Sequence, residues 1–210
     1  MTRKIVFVLL VSALVLPMGL FAASRLGVNV GYTDIRTGYY ADQYSSSEYE
    51  MWADDQGVHV QLDYDYLFNS HVAVNAQADV DFANYCDVGG KTAGYTKYTP
   101  KIGYGLKAGV NFYLSFLRIG TGLRYQITNA GFTGGVMSIR SLFISMNADL
   151  VLNMGEKYAL VIGAEYGFPL SSKMTNKADS GGSLTTDLNI AKRFLKDGAI
   201  IIYGGFQFKF

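Results

Sequence analysis

The stretch Gly57-Val58-His59-Val60-Gln61-Leu62-Asp63-Tyr64-Asp65-Tyr66 decides the fold. Its even positions are all aliphatic or aromatic, and its odd positions are Gly, His, Gln or Asp. A period of two belongs to a β-strand with one apolar and one polar face, because successive side chains point to opposite sides of the pleat. The next segment repeats the pattern, with Val72, Val74, Ala76, Ala78, Val80 and Phe82 against Ala73, Asn75, Gln77, Asp79 and Asp81. Upstream, Leu26, Val28, Val30 and Tyr32 oppose Gly27, Asn29 and Gly31. Downstream, the alternation returns five more times, around Leu106, Leu123, Leu150, Ile162 and Ile202. Eight such strands are expected in all, each of about nine to twelve residues, the length that crosses a bilayer at a tilt.

The connections alternate between short and long. Leu67 to Ser70, Tyr113 to Phe116 and Asn153 to Lys157 are short, whereas Ile35 to Gln56, Ala83 to Lys101 and Pro169 to Gly198 are long and polar. Ile127 to Met137 is intermediate. Short turns at one end and long loops at the other are the arrangement of an up-and-down transmembrane barrel.

The aromatic residues of the apolar face gather at strand ends. Tyr64, Tyr66, Phe112, Tyr158, Phe208 and Phe210 fall on the short-turn side, and Tyr32, Phe82, Tyr104, Tyr125, Tyr166 and Phe168 on the long-loop side. Rings at both edges of an aliphatic band form girdles at the lipid headgroup level. Strand glycines, normally depleted in sheets, fall almost entirely on the polar face (Gly204 excepted), which implies a narrow interior. The expected fold is therefore all-β: an antiparallel, up-and-down, eight-stranded transmembrane β-barrel with a polar lumen and an apolar exterior.

The chain opens with Arg3 and Lys4, an apolar run from Ile5 to Leu16, a Pro17-Met18-Gly19 break and the small residues Ala22-Ala23-Ser24. This is the layout of a secretory signal, so residues 1–23 are expected to be cleaved and residues 24–210 to form the barrel domain. The 24 Gly, 16 Tyr and 13 Phe among 210 residues suit a turn-rich β protein. A net charge of +1 without a basic stripe gives no reason to expect a nucleic-acid partner. The single cysteine, Cys86, excludes a disulfide framework and reads as a loop thiol.

The last eight residues, Tyr203-Gly204-Gly205-Phe206-Gln207-Phe208-Lys209-Phe210, close the chain on alternating apolar positions ending in Phe. Together with the export signal and the repeated strands, they make the chain resemble the small bacterial outer-membrane barrels of the OmpX/OmpW-like kind over its whole mature length. The resemblance implies that Tyr203, Gly205, Phe208 and Phe210 act as the assembly signal read by the outer-membrane insertion machinery. It implies residence in the bacterial outer membrane, in contact with its lipid. It leaves the activity open, because one fold hosts many functions.

The inward charges segregate. Asp63, Asp65, Asp79 and Asp81 come from the second and third strands, and Lys107, Arg118 and Arg124 from the fourth and fifth. In a narrow barrel they are expected to meet as an ion-pair network, extended by Asp149 and Glu165. Such a network reads either as a plug or as the lining of a gated pore.

His59 and His71 form neither a metal site nor, with any Ser, a catalytic arrangement, and no cofactor is expected. Gly89-Gly90-Lys91-Thr92 lacks P-loop spacing. The Tyr- and Ser-rich loop from Gly38 to Tyr49 suits adaptable surface contacts. Leu184 to Leu195 reads either as a helix or as a strand extension in the last outer excursion. The functional expectation is a non-enzymatic surface barrel, adhesin-like, whose outer loops contact host or envelope components. The alternative is a narrow porin-like channel for small or hydrophobic solutes.

Overall fold

The structure, a computed structural model, describes residues 24–40, 50–90, 94–190 and 197–210. The expected export signal, residues 1–23, lies outside them, as do most of the Tyr/Ser loop and the second half of the Leu184 to Leu195 segment. Among the described residues the elements are β1 (Ser24–Tyr40), β2 (Glu50–Leu67), β3 (Val72–Gly90), β4 (Gly94–Lys97), β5 (Thr99–Leu114), β6 (Leu117–Phe132), β7 (Gly135–Asn153), β8 (Tyr158–Ala178), β9 (Ser183–Ile190) and β10 (Gly198–Lys209). All are strands, every pairing is antiparallel, and the order runs β10-β1-β2-β3-β5-β6-β7-β8. β8 pairs with β10 from Gly167↔Ala199 to Tyr158↔Phe208, which closes a ring of eight. Closure removes the unpaired edges that a sheet cannot expose to lipid.

The exterior carries the expected belt. Val30, Leu62, Leu106, Leu123, Met146, Ile162 and Ile202 are exposed around the ring. Between the two girdles no outward position of the eight ring strands carries a charge. A continuous apolar surface of this extent is incompatible with water and is solvated by lipid. At the short-turn edge Tyr158 meets Phe208 edge-to-face with centroids 5.6 Å apart. Ser115 in the turn after β5 and Gly155 in the turn after β7 take positive φ, as tight hairpins require.

The long-loop end differs from expectation. Much of the Ile35 to Gln56, Ala83 to Lys101 and Pro169 to Gly198 stretches is strand rather than loop. The strands therefore run to as many as 21 residues, because β1–β2 and β7–β8 keep exchanging backbone hydrogen bonds beyond the membrane. Leu184 falls in β9, and the described part of its segment is strand, not helix. β9 pairs with β8 through Lys173↔Asp187 and with β1 through Tyr39↔Ile190. It thus takes over as a stave of the barrel wall where β10 begins, at Gly198.

Three register shifts lie near this rim, at Gln56/Gly57, Lys101/Tyr104 and Leu142/Phe143. The extra residue flips face parity beyond each bulge. Cys86, expected in a loop, lies within β3 opposite Asp55 because the β2–β3 pairing continues outward, and the β3 bulge turns its side chain inward, where it is buried.

The lumen is less polar than the alternation implied. Ala73, Tyr113, Val151, Ala159, Val161, Ile201 and Tyr203 form a buried apolar cluster at the short-turn end. Ala53, Cys86, Val88, Ala130, Met137 and Ile139 form another at the outer end. The charged side chains occupy the space between.

Candidate functional site in the barrel lumen

Two layers of ion pairs fill the middle of the lumen, each built around an arginine of β6. In the layer nearer the short turns, Arg118 Nη1 donates to Asp63 Oδ2 at 2.6 Å and to Asp65 Oδ2 at 2.9 Å. Arg118 Nε donates to Asp149 Oδ2 at 2.7 Å. Asp63 and Asp65 stand on β2, three strands around the ring from β6, so this one guanidinium bridges the lumen. Asn75 Nδ2 and Asn111 Nδ2 each donate to Asp65 Oδ1 at 2.8 Å. The Tyr113 and Tyr203 hydroxyls donate to Asp65 and Asp149.

In the outer layer, Arg124 Nη1 donates to Asp79 Oδ2 of β3 and Arg124 Nε to Glu165 Oε1 of β8 at 2.8 Å. Lys107 Nζ of β5 donates to Glu165 Oε2 at 2.9 Å and to Asn147 Oδ1 at 2.8 Å. Asn147 Nδ2 in turn donates to Asp149 Oδ2 at 2.7 Å and ties the layers together. Gln126 Nε2 donates to Asp81 Oδ2, and His59 Nδ1 lies 2.7 Å from Asp81 Oδ1.

The charged side chains of both layers are buried, Arg118 and Arg124 completely. Burying a guanidinium is tolerable only when its donors are met by carboxylates of good geometry. Glycine makes the room: a Cβ on Gly163 would run into the Asp149 carboxylate, and one on Gly120 into the amides of Asn111 and Asn147. These glycines are the space into which the polar side chains of neighbouring strands fold.

All nine residues named from the sequence for the lumen network occur in these two layers: Asp63, Asp65, Asp79, Asp81, Lys107, Arg118, Arg124, Asp149 and Glu165. Sequence reasoning missed Asp55 and the outer-end residues beyond the bulges. Above the outer girdle, Asp55 is buried with neither carboxylate oxygen hydrogen-bonded. Burial, aided by the charge of Asp81, pushes its pKa up to about 7. Burial beside Asp55, Asp87 and Asp54 likewise pushes the Cys86 thiol up to about 12, which leaves it unreactive near neutral pH. Asp55 and Cys86 border a small cavity of about 10 Å³, with room for no more than a single water.

Of the C-terminal residues, Tyr203 is buried against Asp149, and Gly205 faces the lumen beside Asn29. Phe208 and Phe210 are exposed at the short-turn edge of the lipid belt.

No protein-family model and no curated protein matches the chain. Solved structures do. The outer membrane protein OprG from Pseudomonas aeruginosa aligns with a TM-score of 0.59 at 15% identity, over 90% of this chain and 96% of that one. Neisserial surface protein A aligns with a TM-score of 0.51 at 10% identity, over 89% and 97%. The outer membrane protease OmpT from Escherichia coli aligns with a TM-score of 0.50 at 7% identity, over 90% and 97%. The fold is that of the small bacterial outer-membrane β-barrels, and the lipid-facing belt places this barrel in such a membrane. OmpT among these is a protease, so the fold alone does not decide for or against catalysis.

Proposed function

We propose that the protein is a non-enzymatic surface barrel of the bacterial outer membrane whose lumen is a structural plug. In this reading residues 1–23 direct export and are removed. Phe208 and Phe210, with Tyr203 and Gly205, present the terminal strand to the insertion machinery. The walls carried outward by β1–β2, β7–β8 and β9 display the surface that meets envelope or host components.

The observation that carries the reading is the set of cross-lumen bonds made by Arg118, Arg124 and Lys107. A solute moving along the axis would have to break several buried, charge-assisted hydrogen bonds at once, each costing about 1.5–3 kcal/mol. His59 supports the non-enzymatic part, because it is fully buried against Asp81 and has no surface on which to meet a substrate.

The test is single-channel recording of the protein in a planar bilayer, after unboiled gel mobility confirms that it is folded. A silent, folded barrel is the expected result. Discrete openings that change when Lys107 or Arg124 is neutralised would overturn the plug and establish the second reading, a narrow channel for small or hydrophobic solutes. That reading draws its support from the apolar outer end of the lumen around Ala53, Val88, Met137 and Ile139.

A further inference from the structure

On the lumen wall, β2 and β3 bring four polar side chains into a two-by-two patch. The register pairs His59 with Asp81 and Gln61 with Asp79, all four on the inward face. Directly opposed side chains on one face have Cβ atoms about 4.5–5.5 Å apart, so the patch is compact. One donor atom from each of His59, Asp79 and Asp81 lies within 4.8 Å of the others.

Three features of this patch suit a further ligand. First, His59 Nε2 and Asp79 Oδ1 are buried and have no hydrogen-bond partner. Second, Gln61 is 1% exposed, yet neither its amide nitrogen nor its amide oxygen is bonded. A buried polar group left unbonded costs about 1–3 kcal/mol, and here several stand together. Third, the local charge does not balance. Asp55, Asp79 and Asp81 crowd the outer lumen, whereas the nearest guanidinium, Arg124, divides itself between Asp79 and Glu165.

We propose that the patch of His59, Gln61, Asp79 and Asp81 binds one divalent transition-metal cation of the zinc type. His59 Nε2, Asp79 Oδ1 and the amide oxygen of Gln61, all three unbonded, are a donor set for such an ion, with water completing it and Asp81 supporting the imidazole from behind. In tetrahedral coordination, ligands about 2.0–2.2 Å from the ion lie roughly 3.3–3.6 Å from one another, so side chains whose donor atoms stand within 4.8 Å of one another would draw together on the ion. The surroundings are those of a supported metal site. Asp81 holds Nδ1 of His59, which fixes the ring and leaves Nε2 bare, and Gln126 holds the other oxygen of Asp81. Arg124 anchors Asp79 through Oδ2 and leaves Oδ1 available. The ion would supply the positive charge that this part of the lumen lacks and would cross-link β2 to β3 inside the barrel.

The test uses the protein purified from membranes in detergent, stripped with a chelator and titrated with Zn²⁺. One saturable equivalent per chain is expected, and His59→Gln and Asp79→Asn should each weaken it at least about tenfold while unboiled gel mobility stays that of the folded form. Absence of saturable binding at millimolar Zn²⁺, or equal binding by both folded variants, would overturn the proposal. Should the variants not fold, Co²⁺ in the unaltered protein decides. Visible bands of nitrogen and oxygen coordination support the site, whereas the hydrated-ion spectrum, or a thiolate charge-transfer band from Cys86, overturns it. Refolding from urea in the presence of Zn²⁺ gives the ion access to the site whether or not the folded lumen conducts.

Discussion

Arg118 and Lys173 are both ion-paired, and the difference between them shows where charge matters in this molecule. Arg118 is wholly buried among Asp63, Asp65 and Asp149, whereas Lys173 and Asp187 meet at 3.0 Å with both side chains largely in water. Arg118→Met should cost about 3–5 kcal/mol, because it leaves carboxylates buried without their counter-charge. Lys173→Met should cost less than about 1 kcal/mol. Urea-induced unfolding in lipid vesicles, followed by gel mobility, separates the two; equal effects would mean that the lumen network is not a stabilising plug. Asp55 makes a prediction of opposite sign. Its folded pKa near 7 lies above the ordinary carboxyl value of 3.8, so folding takes up a proton between those limits. The contribution of this group is whole below about pH 4 and is lost as pH rises through 7. Asp55→Asn should therefore stabilise the barrel at pH 8, by about 1–3 kcal/mol, with the gain vanishing toward pH 4. A gain independent of pH would sink this account.

At the scale of elements, the barrel wall has two parts with different dependencies. β10 closes the ring against β1 and β8 through the membrane. β9 replaces it beyond Gly198, held by its pairing with β8 and a short contact with β1. Thr186 pairs with Met174 in the middle of β9, and a proline there removes a ladder donor and clashes with its neighbours. Thr186→Pro should leave folded gel mobility unchanged and speed proteolytic cleavage between residues 178 and 198 in intact vesicles. Loss of the folded form would show that β9 is needed for closure. The alternation of Leu184, Thr186 and Leu188 pointed to a strand as well as to a helix. Only the presence of β8 and β1 on either side settles it, since a short amphipathic segment takes the conformation that satisfies its backbone.

For the molecule as a whole, the exterior belt is the dominant physical fact. Ile162, midway between Tyr158 and Tyr166, lies in the middle of it and Leu114 at its short-turn edge, both exposed. Ile162→Arg should destabilise the folded barrel in vesicles by about 2–4 kcal/mol and Leu114→Arg by about 0–1 kcal/mol, since the cost of a lipid-facing charge follows depth. Equal costs at the two positions would argue against a bilayer around this belt.

The alternation from Val58 to Tyr66, the aromatics at strand ends and the eightfold repetition were enough to determine a closed barrel with an apolar outside. Each is a local consequence of the two-residue pleat and of lipid as the outer solvent. The identities of the lumen charges were legible for the same reason, because parity alone says which side chains point inward. Parity does not say which charges meet. That Arg118 reaches Asp63 and Asp65 three strands away, while Arg124 reaches Asp79 and Glu165, depends on barrel closure and strand stagger, which the chain acquires only when β8 meets β10. The bulges near Gly57, Tyr104 and Phe143 hid the rest. One extra residue in β3 reverses the side chains beyond it, so the burial of Cys86 and Val88 followed from tertiary pairing rather than from local pattern, whereas Ala53, Ala130, Met137 and Ile139 keep the inward parity of their strands.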